Sequence, residues 1–321
     1  MSHGTFATPV ALLLFNRPDT TERVFEAVAA ARPRTLLVVA DGPRNDREGE
    51  AEACAAARAI TERVDWPCEV RREYSDANLG CARRVSTGID WIFRNVEEAI
   101  ILEDDCVPHP TFFPFCEQLL QRYRDDERVM VVSGDNLVGG RPAGPSSYWF
   151  SRSFHLWGWA TWRRAWSRFD LGMSRWPGKR DTDFLASILG DANLAASWRR
   201  TFDAAHAGEI DTWDFAWVFA CWLNAGLSAV PAVNLVSNVG FGPNSTHTRE
   251  PLSWFANLPT RAMAFPLRHP SLVETSRGWD HRDFRASSKP AVSLPRRIAQ
   301  RLKRTLIGGL RRSLAARRNL P

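Results

Sequence analysis

The sequence predicts an α/β fold, a doubly wound and mostly parallel sheet with a tryptophan-rich extension. Three observations carry this. Short apolar runs alternate with helical segments through the first 135 residues, small polar clusters follow the runs, and ten of the 14 tryptophans fall later, between Trp149 and Trp222. Parallel strands need crossovers, which helices supply, so the alternation selects a parallel sheet covered on both faces.

The elements follow in order. Residues 10–15 form an unbroken apolar run and hence the first strand, and Asp19 or Thr20 is placed to cap a helix over 19–31. Residues 35–40 are the second strand, closing at Asp41-Gly42, and an alanine-rich helix spans 48–63. A third strand over 69–74, a helix over 82–93, a β-branched strand over 99–102, a helix over 111–123 and a strand over 129–133 complete the series. Five segments result: a flexible start (1–8), a ligand-binding half (9–136), an acceptor and catalytic half (137–265), a linker (266–293) and a basic tail (294–321).

Composition narrows the class. The 321 residues are 44% hydrophobic and 24% charged, as in ordinary globular proteins. No window approaches the roughly 20 apolar residues of a membrane span and no secretory signal is visible, so the expected compartment is cytoplasmic. Six cysteines without a CxxC pair argue against a zinc site or a disulfide framework. The net charge of +6 is uneven: from Lys289 onward there are ten Lys/Arg and no acid, leaving 32 basic against 36 acidic groups before it. Leu294, Ile298, Leu302, Leu306, Leu310 and Leu314 recur every four residues among these arginines. This describes a basic amphipathic helix suited to the anionic inner face of a membrane, with a solvated tail as the alternative. No aromatic interleaving supports nucleic-acid binding.

The polar clusters carry the chemistry. Asn16-Arg17, Asp41-Gly42, Asn78-Leu79-Gly80 and Glu103-Asp104-Asp105 each follow a predicted strand, and a doubly wound sheet brings such ends to one rim, the usual nucleotide site. Walker A and GxGxxG patterns are absent, so the nucleotide must be held by side chains. The acidic triplet has no basic neighbour in sequence; a divalent cation, Mn²⁺ or Mg²⁺, would relieve its repulsion and bind together with phosphates. In Glu209 to Trp217, Asp214 reads either as the N-terminal acid of a helix over 215–223 or as a general base, with Asp211 and Asp135 as alternative bases. Aromatic faces suit sugar rings, which makes Trp157, Trp159 and Trp213 candidates for sugar contact. His155 and His247 are the histidines of interest.

These motifs, from Val10 to about His247, resemble a glycosyltransferase of the GT-A fold. Within it the chain is most similar to the inverting, metal-dependent N-acetylglucosaminyltransferase family that begins complex N-glycan branching, with its bacterial family 2-like relatives. The resemblance implies that Arg17 contacts the nucleotide, that Asp41 reads the uracil edge, and that Arg84 of Ala82-Arg83-Arg84 stands in place of a histidine near the base. It implies that Glu103 and Asp104 contact sugar and ribose, that Asp105 ligates the metal as the end of a DxD-type motif, and that Asp214 of Trp213-Asp214 is the catalytic base. Gly158-Trp159 matches a Gly-Trp pair, and the run from Gly240 through Asn244, Ser245 and His247 matches a loop over the pyrophosphate. The implied reaction is inverting transfer from a UDP-sugar, with N-acetylglucosamine as the implied sugar, to a glycan, lipid-linked sugar or protein, in cell-surface polysaccharide synthesis at the membrane periphery. The competing readings are a sugar nucleotidyltransferase, whose Gly-rich first loop is missing here, and a non-catalytic glycan- or membrane-binding relative.

Overall fold

The run Val10–Leu14 forms β1, and all five of its residues are buried because it lies in the interior of a sheet. The computed structural model describes residues 6–140, 144–241 and 255–287. Strands β2 (Thr35–Ala40), β3 (Glu69–Tyr74) and β4 (Glu98–Glu103) join β1 in parallel, with Val10 opposite both Leu36 and Ile100. The crossovers are α1 (Pro18–Ala31), α2 (Glu50–Ile60) and α3 (Cys81–Asn95). β4 is followed by the short β5 (Cys106–Pro108), then α4 (Phe112–Arg122) and β6 (Val129–Ser133).

Two helix starts differ from expectation. α1 opens one residue ahead of Asp19, with Pro18 in its first turn and Arg17 at its N-cap, because the fixed φ of proline already suits a first helical position. α2 opens at Glu50 rather than 48, since Gly49 (φ 75°) interrupts the chain.

The second half completes the sheet. β7 (Tyr148–Ser151), β8 (Trp159–Trp162) and α5 (Arg163–Trp166) are followed by α6 (Phe184–Leu189), α7 (Ala192–His206), α8 (Asp214–Leu223), β9 (Leu227–Pro231) and β10 (Val236–Asn238). The eight-stranded order is β3-β2-β1-β4-β8-β6-β9-β7, and β10 pairs with β5 in a separate two-stranded sheet. β8 runs antiparallel between β4 and β6, with Ile101 opposite Trp159, so the start of β8 shares a rim with the carboxyl end of β4. The pleat sends Val10, Leu12 and Leu14 to one face against Val24, Phe25 and Phe112, and Ala11 and Leu13 to the other against Ile89, Ile92 and Trp217. A third core packs Trp176, Phe202, Phe219 and Trp222 among α6, α7 and α8.

The segment read as a linker from 266 contains α9 (Arg277–Ser287), whose Phe284 joins that third core. Two buried carboxylates hold it: Asp280 accepts from Ser151 Oγ (2.7 Å) and the Arg152 amide, and Asp283 lies 2.9 Å from His155 Nε2. Asp135, 3.8 Å from His155 Nδ1, closes the cluster, and Ser153 Oγ touches the imidazole as well. Burial opposes the imidazolium, but Asp283 and Asp135 outweigh it and push His155 from 6.5 up to about 9. Burial also lifts Asp135 from 3.8 to about 7. Both groups bind protons more tightly folded than unfolded, so stability falls as pH rises through these windows. The melting temperature is therefore expected to decline from pH 6.5 to 9, and His155→Gln to flatten that decline. An unchanged slope in the variant would contradict the assignment. Among the described residues no helix is long and apolar enough to cross a membrane. The basic tail lies outside the described residues.

Candidate functional site

The strand order sets the site's geometry. Along one rim lie Asn78 after β3, Asp41 after β2, Arg17 after β1, Glu103 to Asp105 at the end of β4 and Trp157 before β8. Five strands at roughly 4.8 Å spacing give a row of about 19 Å. A cleft runs over this row and is lined also by Phe15, Arg84, Asp211, Asn238 and Phe241. The convergence read from the sequence is thus present in the fold.

At one end, Asp41 is nearly enclosed (5% exposed). Its carboxylate accepts from Asn78 Nδ2 (2.9 Å), the Leu79 amide (3.0 Å) and the Gly42 amide (2.9 Å). Asp41 therefore braces the loop after β3, and burial raises its proton affinity against these bonds. Arg84, also buried, pairs with Glu73 and donates to the Glu73 carbonyl (2.6 Å). Glu50 ties the loop after β2 to β1 by accepting from Asn16 Nδ2 (2.8 Å) and the Arg44 amide (2.7 Å).

The acidic triplet has a partner that the sequence hid. Arg17, distant from it along the chain, is its neighbour across β1 and β4: one amino group meets Asp104, and Nη1 lies 2.7 Å from Asp105 Oδ2. Burial opposes the guanidinium's charge, but the two carboxylates more than compensate and raise its pKa. Asp104 also accepts from the Phe15 amide (3.0 Å), which fixes the turn after β1. Among the described residues Glu103 lacks such pairing; burial, then Asp105 and Asp104, push it up to about 8. No group of three or more His, Cys, Asp or Glu side chains is poised for a metal among the described residues. The donor chemistry nonetheless fits a hard cation shared with phosphates: Asp104 and Asp105 already hold one partly buried positive charge, the Arg17 guanidinium.

The second half departs more from the sequence reading. Trp159 and Trp213 are buried (0% and 3% exposed) and stack on each other at 5.6 Å, so they are core and cannot meet a sugar. Trp157 alone of the three lines the cleft, in a triangle with Phe241 (5.7 Å) and Phe255 (5.5 Å). Asp135 lies in the His155 cluster away from the cleft. Asp211 lines the cleft and accepts from the Cys81 and Ala82 amides (3.0 and 2.9 Å) at the start of α3. Asp214, at the start of α8, accepts from Thr212 Oγ1 (2.6 Å) and the Phe215 amide (2.8 Å), and its charge acts on Glu103 and Cys81. Asn244, Ser245 and His247 lie outside the described residues. Asn238 is a cleft residue that the sequence reading had not singled out, since the three-residue β10 carries no periodic signal.

No family model and no curated protein matches the chain. Solved structures resemble it loosely. UDP-glucose pyrophosphorylase complexed with UDP-glucose is 10% identical over 50% of this chain and 70% of that one, with a TM-score of 0.26. Mouse xyloside xylosyltransferase 1, in apo form, is 13% identical over 68% and 81%, at 0.33. The 4-diphosphocytidyl-2C-methyl-D-erythritol synthase of Anaerococcus prevotii DSM 20548 is 11% identical over 61% and 83%, at 0.28. Likenesses of this degree assign no activity, so function is argued from the site.

Proposed function

We propose that the protein is a glycosyltransferase that moves a sugar, with inversion, from a nucleoside diphosphate sugar to a hydroxyl of a glycan, lipid-linked sugar or protein. The carrying observation is the row of complementary groups along one rim, with Asp41 and Arg84 at one end, Arg17 in the middle, Glu103 to Asp105 beyond it and Asp211 in the same cleft, and with Asp214 near enough for its charge to act on Glu103. Its polarity suits a base, a diphosphate and a sugar in that order, with UDP as the proposed nucleotide and N-acetylglucosamine as the proposed sugar.

In this reading the Asp214 carboxylate takes the proton of the acceptor hydroxyl as the oxygen attacks the anomeric carbon. The bond from that carbon to the diphosphate oxygen breaks on the opposite face, and the diphosphate leaves with its electron pair. Arg17, which lines the cleft, stabilises the departing charge. When bound at Asp105, a divalent cation would supply Lewis-acid stabilisation of the same leaving group. Asp211 holds the Asp214 segment against the start of α3 and thereby positions the base.

The test is calorimetric titration with UDP, with GDP and ADP as controls, with and without Mn²⁺, on wild type and Asp105→Ala. The expected result is Mn²⁺-assisted UDP binding that the variant loses. Absence of nucleotide binding under every condition would reject the reading in favour of a non-catalytic role.

A further inference from the structure

The contact between Arg17 and the acidic triplet has a consequence for how ion and nucleotide bind. Asp105 is 8% exposed, and both of its oxygens face donors: Oδ2 faces Arg17 Nη1 at 2.7 Å, and Oδ1 faces Asn238 Nδ2 at 3.4 Å. Gly240 closes the remaining side. A methyl group added at its Cα would lie 2.0 Å from Asp105 Oδ2 and 2.6 Å from Arg17 Nη1, so not even a methyl group fits between Gly240 and the ion pair. No space is left at Oδ2 for a second cation beside the guanidinium. Two positive charges within a few ångströms would also repel in this weakly solvated corner.

We infer that Arg17 and a divalent cation are alternative occupants of Asp105, and that the diphosphate of a nucleotide opens the carboxylate to the ion by drawing the guanidinium onto itself. A diphosphate is a suitable counter-partner because its oxygens match the planar fork of arginine, and it brings more negative charge than the carboxylate it replaces. Asp104 keeps one guanidinium contact during the exchange, so Arg17 pivots rather than leaves. Ion and nucleotide are then positively coupled: each binds weakly alone, and each raises the affinity of the other by the same factor. This rests on the cleft being a nucleotide site, whereas the mutual exclusion of Arg17 and the ion does not.

The test measures free Mn²⁺ by electron paramagnetic resonance during titration of the full chain, without nucleotide and with UDP, correcting for the Mn²⁺–UDP complex. Wild type, Arg17→Met, Arg17→Lys and Asp105→Asn are compared. Wild type should bind Mn²⁺ weakly alone and at least tenfold more tightly with UDP, within the roughly 5- to 150-fold span of typical couplings. Arg17→Met should bind Mn²⁺ at least tenfold more tightly than wild type without UDP, and the UDP effect should shrink to what the phosphates contribute directly to the ion. Arg17→Lys, which keeps one charge but cannot straddle two carboxylates, should fall between them, so the ordering survives if the methionine variant fails to fold. Asp105→Asn should lose the site. Equal Mn²⁺ affinity in wild type and both Arg17 variants without nucleotide would overturn the inference. UDP that binds nowhere would instead reject the nucleotide reading, while the nucleotide-free comparison still decides the exclusion.

Discussion

Asp214→Asn is expected to lower the rate of sugar transfer by about 10²- to 10⁴-fold, the span of a lost general base, with UDP affinity unchanged. Asparagine keeps the shape and can still accept from Thr212 Oγ1 and the Phe215 amide through its carbonyl oxygen, so the start of α8 should hold. It cannot take a proton from the acceptor. Asp211→Asn separates the neighbouring carboxylate's role. One of its two oxygens becomes an amide N–H that opposes the Cys81 or Ala82 amide, so the segment before α8 should loosen. A smaller rate loss, accompanied by a raised KM for acceptor, is the expected pattern for a positioning residue. Asp211→Asn with the larger fall in kcat and Asp214→Asn near wild type would exchange the two assignments.

The first half was largely legible because its rules are local. Continuous runs such as Val10 to Leu14 and Thr35 to Ala40 are what strands buried on both faces require, and Asp41-Gly42 marks the end of one with polar residues that cannot continue it. Strand order was not written in the runs. Arg17 and Asp104 are 87 residues apart, and only the pairing of β1 with β4 makes them neighbours, so the triplet read alone suggested unrelieved repulsion. The short strands β5, β7, β8 and β10, three or four residues long, are too short for periodicity to emerge. The tryptophans misled for a related reason. Aromatic residues suit a sugar surface and a core equally, and pattern alone did not separate Trp157 at the rim from Trp159, two residues on, in the interior.

That separation has an energetic test in Trp159→Ala, which is expected to cost about 3–5 kcal/mol of stability and to leave UDP binding intact in the folded fraction. Trp159 is fully buried on β8, opposite Ile101 on one side and Ser133 on the other, so the void would open in the middle of the sheet. Its ring stacks on Trp213 at 5.6 Å and meets Trp217 at 6.1 Å and Trp166 at 6.4 Å, a cluster too interlocked to collapse onto the gap. The urea midpoint should fall with the slope unchanged, the signature of lost native-state packing. Trp159→Phe refines the argument. The indole N–H of Trp159 is buried without a hydrogen-bond acceptor among the described residues, a burden of about 1–3 kcal/mol that phenylalanine removes. Phenylalanine also fills most of the volume, so its loss should be well under half that of alanine. A sugar-contacting tryptophan would behave in the opposite way, with little change in midpoint, weaker acceptor binding in both variants, and phenylalanine retaining affinity through its ring face.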